Sequence, residues 1–270
     1  MRAIQTDCIS FKVDTFQLKD ISLSIPKQKI TSIVGPNGSG KSTLLKIISK
    51  LLLADSGSIF VHNQNIKSYK SKEFARSISM LPQSKESLPN LTVKELISFG
   101  RSPYKNFLNH RLTKIDEMII HESMVMTNTE KYQNRLFFSL SGGEQQKVRI
   151  AMALAQKTSI LLLDEPTTYL DISHQLEVME LLQTINETYE MTIIMVLHDL
   201  QQAASYSDYL IALKNGEIAK SGSPEATITE TFLKNVYDIQ ARIIFEDDYP
   251  LIIPKTRRRK DVYRHKHNEN

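Results

Sequence analysis

The sequence predicts an α/β fold, and three observations predict it. Short β-type runs alternate with helical stretches along the chain. One run, Ser159 to Leu163, is almost continuously apolar, the pattern of a strand buried on both faces of a parallel sheet. A glycine-rich segment, Gly35 to Lys41, sits between a β-type run and a helical one.

Taken in order, Lys29 to Val34 reads as a strand, Lys41 to Leu52 as a helix and Ser58 to His62 as a strand. Ser159 to Leu163 follows as a strand, His174 to Glu187 as a helix and Thr192 to Leu197 as a strand. Between about Ser84 and Lys157 helical periods dominate instead. Met80, Met118, Met124 and Met126 cluster in and around this stretch, and Pro82, Pro89, Gly100 and Pro103 mark loops at its entrance. It reads as an inserted helical subdomain in which the methionines and Tyr104 pack a core. No repeat of about 20–50 residues is visible, which excludes solenoids and propellers.

With 270 residues, 41% hydrophobic and 24% charged, the chain has material for a core and resembles neither a disordered chain nor a coiled coil. Met1 to Ser10 carries Asp7 and lacks a signal peptide's apolar stretch, and no window reaches the roughly 18 apolar residues of a membrane span. A soluble chain, not exported by itself, is the expectation. The single cysteine, Cys8, can form no internal disulfide, which fits a reducing compartment. Net charge is +4, but Lys255 to Asn270 alone carries +5, so the body is close to neutral. A uniformly basic nucleic-acid binder is not indicated. The basic tail, 257–270, is expected to be solvated and poorly ordered.

Gly35-Pro36-Asn37-Gly38-Ser39-Gly40-Lys41-Ser42-Thr43 matches the full G-x-x-x-x-G-K-[ST] phosphate loop in the required strand-to-helix context. Its glycines let backbone N–H groups turn inward, and the helix that follows adds a positive dipole end. Asn37, Gly38, Ser39, Gly40, Lys41, Ser42 and Thr43 are therefore candidate nucleotide contacts, Lys41 for the β and γ phosphates and Ser42 for Mg²⁺. A second strand ends in two acids, Leu163-Asp164-Glu165. Buried carboxylates are costly unless they serve a cation or a reaction, so Asp164 is assigned to Mg²⁺ and Glu165 to the attacking water as general base. Leu140-Ser141-Gly142-Gly143-Glu144 opens another helix as a capping box. Its Gly-Gly pair is a poor choice for a first helical turn unless bare backbone must approach something such as a phosphate.

These three elements, in this order and spacing, resemble the nucleotide-binding subunits of ATP-binding-cassette (ABC) transporters, from Thr6 to about Pro254. The resemblance implies a P-loop NTPase (RecA-like) core at 1–83 and 158–256 with an N-terminal antiparallel β piece and a helical subdomain at 84–157. It makes Leu140 to Glu144 the family signature, with Glu144 replacing the usual Gln and with Ser141, Gly142 and Gly143 retained. It assigns Gln83 to the Q-loop, touching Mg²⁺ and linking to the membrane partner, Asp171 to the dimer seam and His198 to γ-phosphate sensing. Phe11, with Phe16 as its rival, takes the adenine-stacking place, and Gln28 stands where the family prefers Gly. Ser98 to Tyr104, Arg111 to Thr113, Ala155-Gln156, Thr167 to Asp171 and the stretch from Asn235 to Pro254 resemble ATPases of ferric-siderophore importers, a group close to haem and vitamin B12 importers. The resemblance implies ATP and Mg²⁺, a separate integral-membrane permease, a second copy of the chain in an ATP-sandwich dimer, an external substrate-binding protein and a peripheral place on the cytoplasmic face. An exporter subunit is the competing transport reading. Non-transport ABC ATPases fit less well, since about 100 residues, not a long coiled coil, separate phosphate loop and signature.

Overall fold

The computed structural model describes residues 1–83, 90–105, 111–246 and 249–255. The basic tail, Pro89 and the opening of the insertion, 84–89, lie outside them. The chain begins with a long hairpin, β1 (Arg2–Val13) and β2 (Phe16–Pro26), and continues through β3 (Ile30–Val34) into α1 (Lys41–Ile48). β4 (Ser56–Val61), β5 (Gln64–Asn65), α2 (Ser71–Ser77) and β6 (Ile78–Leu81) follow. The insertion contributes α3 (Val93–Ser98), α4 (Lys114–Met126) and α5 (Gly142–Ala155). Then come β7 (Ile160–Asp164), α6 (Ile172–Tyr189), β8 (Thr192–Val196), α7 (Leu200–Tyr206), β9 (Tyr209–Lys214) and β10 (Glu217–Gly222). The described chain closes with α8 (Pro224–Thr227), α9 (Glu230–Tyr237), β11 (Ala241–Glu246) and β12 (Tyr249–Pro254).

Among the described residues the central sheet runs β10-β9-β3-β8-β7-β6, parallel from β9 to β6 with β10 antiparallel at one edge. A four-stranded antiparallel sheet, β2-β1-β4-β5, packs beside it. Alternation with period two divides each central strand between two cores. Leu161, Leu163, Ile193 and Met195 face α6 and α9, while Ile160, Leu162, Ile194 and Val196 face α1 and the antiparallel sheet. β7 is buried along its whole length, as its apolar run predicts. The insertion has a third core around Val93, Ile120, Phe137 and Val148, and among its described residues the one β feature is the Thr92–Leu136 bridge.

Two local readings change, and one departure from the family pattern is accommodated. α1 stops at Ile48 rather than Leu52, because Lys50 takes a left-handed φ of 62° and Leu51 N–H bonds back to Lys46 O, a Schellman ending without glycine. Met118 is exposed, since Ile120, Ser123 and Met124 define the buried stripe of α4 and position 118 falls opposite them. Gln28 keeps the turn that the family builds with Gly. It adopts φ 60° while its N–H donates to Thr192 Oγ1 (2.9 Å) and its Nε2 to Glu190 Oε2 (2.7 Å).

Candidate functional site

β3 delivers the chain into a loop whose shape depends on glycine at two places. A Cβ on Gly35 would stand 2.1 Å from Leu213 O, and Gly40 caps α1 at φ 103° with Phe16 and Leu18 against it. Behind the loop, the Asn215-Gly216 turn between β9 and β10 braces it, with Gly216 N–H donating to Ser39 O (3.2 Å). That turn is a functional support the sequence reading passed over; Asn-Gly between two β-type runs is its signal.

Lys41 folds back over the loop, donating through Nζ to Gly35 O (2.9 Å) and Pro36 O (3.0 Å). Burial lowers its pKa, partly opposed by the charges of Glu165 and Asp164. Ser42 Oγ donates to Asp164 Oδ1 at 2.7 Å, which joins the start of α1 to the end of β7. Burial raises the Asp164 carboxyl, the Ser42 hydrogen bond opposes this, and the neighbouring Glu165 charge adds to the rise. An oxygen pair of this kind, one hydroxyl and one buried carboxylate, suits a hard divalent cation that also draws on phosphate oxygens. Ser39 Oγ is buried without a hydrogen-bond partner, its N–H donates to Pro36 O (3.2 Å), and Ser39 itself does not line the cavity.

Glu165 is the meeting point. Its φ of 55° places a non-glycine residue in the left-handed region, at a cost of about 1 kcal/mol or more, and turns its carboxylate out of the β7 line. That carboxylate accepts from Gln83 Nε2 and from Thr168 Oγ1 (3.0 Å) and hydrogen-bonds His198 Nε2. Gln83 and His198, both distant in sequence, thus converge with the nearby Thr168 on one group. Asp199, capping α7 through Gln201 N–H (2.7 Å) and Gln202 N–H (3.1 Å), sets the helix start that follows His198.

An open cavity connects these groups. Asn37, Gly38, Gly40, Lys41, Ser42 and Thr43 form its floor, Gln83, Glu165, Thr168 and His198 one wall, and Val13 and Phe16 another. Here the sequence expectation is corrected: Phe16 lines the cavity and Phe11 does not. β1 carries irregular register between Thr6 and Phe11, with Cys8 at φ 47°, and each slip of one residue exchanges the faces of a strand. Phe11 accordingly pairs with Leu18 and packs on the second core, while the turn after Val13 carries Phe16 over the phosphate loop.

The family model of the ABC transporter matches residues 18–168. The chain belongs to the ABC transporter family. It is an ABC ATPase, of the enzymes that bind and hydrolyse ATP. Petrobactin import ATP-binding protein FpuC of Bacillus anthracis is 47% identical over 242 residues, covering 90% of this chain and 89% of that protein. Iron(3+)-hydroxamate import ATP-binding protein FhuC of Bacillus subtilis strain 168 is 44% identical over 231 residues, 86% of each. Ferric enterobactin transport ATP-binding protein FepC of Escherichia coli K12 is 40% identical over 240 residues, 87% of this chain and 88% of that protein. Among solved structures, the dimeric ATP-binding cassette MJ0796 with ADP and Pi superposes at a TM-score of 0.70 and 29% identity, over 82% of this chain and 98% of that one. The cassette of a metal-chelate type ABC transporter in an inward-facing conformation matches in fold at a TM-score of 0.82 and 24% identity, over 96% and 99% of the two chains.

In this ABC ATPase, Ser141, Gly143 and Asp171 stand away from the cavity of their own chain, and Gly142 faces an adjoining one beside Gln83 and Glu165. Ser141 caps α5 as the capping box predicts: Glu144 N–H donates to Ser141 Oγ (3.3 Å) and Ser141 N–H to Glu144 Oε2 (2.8 Å). Asp171 caps α6 and remains solvent-facing.

Proposed function

We propose that this chain is the ATP-hydrolysing subunit of an importer for ferric siderophores, acting as a pair of copies on the cytoplasmic face of a membrane permease. The observation that carries the substrate is the set of relatives, named for import of petrobactin, iron(3+)-hydroxamate and ferric enterobactin and aligned over most of both chains. Among the described residues no helix is long and apolar enough to cross a membrane. An external binding protein would deliver the chelate to the permease.

In this reading residues 1–256 are the ATPase domain. ATP lies along the cavity, adenine against Phe16 and Val13, with its phosphates on the N–H groups from Asn37 to Thr43 and on Lys41. Mg²⁺ would be held by Ser42, by Asp164 through water and by Gln83, and it supplies charge neutralisation on the phosphate oxygens. Glu165 takes a proton from water as that water attacks the γ-phosphorus and the bond to ADP breaks. His198 and Thr168 hold the carboxylate in place, and His198 faces the γ-phosphate. Because Ser141 and Gly143 do not line their own cavity, a second copy, facing head to tail, supplies them to the γ-phosphate. Asp171 then lies at the seam, beside exposed Tyr169 and Ile172. Gln83 and the segment around Phe99 and Gly100 pass closure of the pair to the permease.

The test is uptake of labelled iron by a strain lacking the gene. Uptake of one or more siderophores fails, wild-type protein restores it and Lys41→Ala does not. Intact uptake of every iron chelate with loss of haem or vitamin B12 uptake overturns the siderophore assignment, and intact uptake of all three overturns import altogether.

A further inference from the structure

The signature segment and the Asp171 loop meet within one chain at two places, Leu170 against Gly142 and His174 against Gly143, and the second contact is the tighter. Asp171 Oδ1 accepts the His174 backbone N–H at 2.9 Å and lies 2.8 Å from His174 Nδ1. These two bonds, the backbone one foremost, hold the Asp171 carboxyl below its usual range. A carboxylate only accepts, so Nδ1 carries the proton and the ring is pinned in one orientation. The pinned ring lies against Gly143. A Cβ built there would stand 1.9 Å from His174 Cδ2 and 2.6 Å from Cγ. No left-handed φ calls for glycine at this position, so the space, and not the backbone angle, is what glycine provides. One turn further on, Lys147 Nζ meets Glu177 Oε2 at 2.6 Å and ties the same two helices on the same face.

We propose that His174 is a positioning residue that fixes Ser141–Gly143 to the Asp171 loop, so that both segments reach the second copy's nucleotide as one rigid edge. This rests on the ATP-sandwich reading above. Glycine at 143 is then required by a side chain of its own chain, not only by the phosphate of another. His174 is absent from the walls of the nucleotide cavity, which separates its effect from binding of ATP to the single chain.

The experiment is a double-mutant cycle of Gly143→Ala and His174→Ala, with His174→Asn as the conservative variant. It reads kcat, nucleotide affinity and melting temperature. Gly143→Ala lowers kcat by about 10²-fold, the effect of an ångström-scale displacement. His174→Ala lowers it less, by about tenfold, and the double variant stays within about threefold of His174→Ala because the methyl enters the vacated space. His174→Asn keeps a donor for Asp171 and falls between His174→Ala and wild type, and affinity stays within about twofold throughout. A double variant whose loss is the product of the two single losses overturns the proposal, as does a parallel loss of affinity and kcat in His174→Ala. Should Gly143→Ala not fold, the order wild type, Asn, Ala at position 174 still decides. Failure of the sandwich reading shows separately, as a Glu165→Gln protein that stays monomeric with ATP, while the cycle in kcat still decides the role of His174.

Discussion

Removing Asp116 leaves a buried guanidinium without its partner, and the size of the loss follows from the surroundings. Arg101 Nε donates to Asp116 Oδ1 at 2.7 Å, with side chains only 5% and 10% exposed. Breaking such a pair from one side costs about 3–5 kcal/mol, far above the worth of a surface pair. Asp116 also closes the capping box of α4, accepting from the N–H (2.9 Å) and Oγ1 (2.7 Å) of the N-cap Thr113, worth about 1 kcal/mol. Against this, Arg101 keeps its bond to Ala155 O (2.8 Å) and its place over the Tyr104 ring at 3.9 Å. Asp116→Ala should therefore cost about 4 kcal/mol and lower the melting temperature by on the order of 10 °C. Arg101→Met with Asp116→Leu should recover at least half of that, because two apolar side chains leave no charge to solvate. Burial by itself pushes the Asp116 carboxyl up, but the Thr113 N–H, the Arg101 hydrogen bond and the Arg101 charge together hold it below the usual range. A depressed carboxyl stabilises above its unfolded value of about 3.9 and loses that contribution as pH falls through the folded value. Melting curves of wild type and Asp116→Ala should thus converge below about pH 4. A loss under about 1 kcal/mol at pH 7 would mean that the pair is solvated and the reasoning wrong.

Other expectations follow from the site. Phe16→Ala should weaken ATP binding by about 1–3 kcal/mol in a fluorescent-nucleotide titration, while Phe11→Ala leaves affinity unchanged and lowers the melting temperature. The raised Asp164 carboxyl opposes folding where it is charged, so Asp164→Asn should raise the melting temperature of the nucleotide-free protein at pH 8. That gain should vanish as pH falls and the wild-type carboxyl binds its proton. In size-exclusion chromatography with ATP, Glu165→Gln should elute as a dimer and adding Ser141→Arg should return it to monomer. A dimer that ignores both nucleotide and Ser141→Arg would contradict the sandwich.

Much of the site was legible because its chemistry is local in sequence. The phosphate loop needs three glycines and Lys-Ser in fixed register, and the apolar run ending in Asp164-Glu165 announces both a buried strand and two costly carboxylates. What remained hidden depends on geometry that no local pattern carries. The choice of Phe16 over Phe11 turns on the irregular register around Cys8. β6 was not singled out, being four residues with a buried Ser79, whose hydroxyl is satisfied by Thr158 Oγ1 at 2.9 Å. Thr168 stands in the sequence only within the subfamily stretch Thr167 to Asp171, and its bond to Glu165 is set by the turn after β7. Gly143 suggested an approaching phosphate, yet the nearest atoms belong to His174, 31 residues further along the chain.

Glu165, contacted by Gln83, Thr168 and His198, is proposed to take the proton of the attacking water. ATP turnover and ATP affinity of Glu165→Gln beside wild type decide this. Affinity should be retained while hydrolysis slows by about 10²–10⁴-fold, the usual weight of a general base. Near-normal turnover in the Gln variant would contradict it.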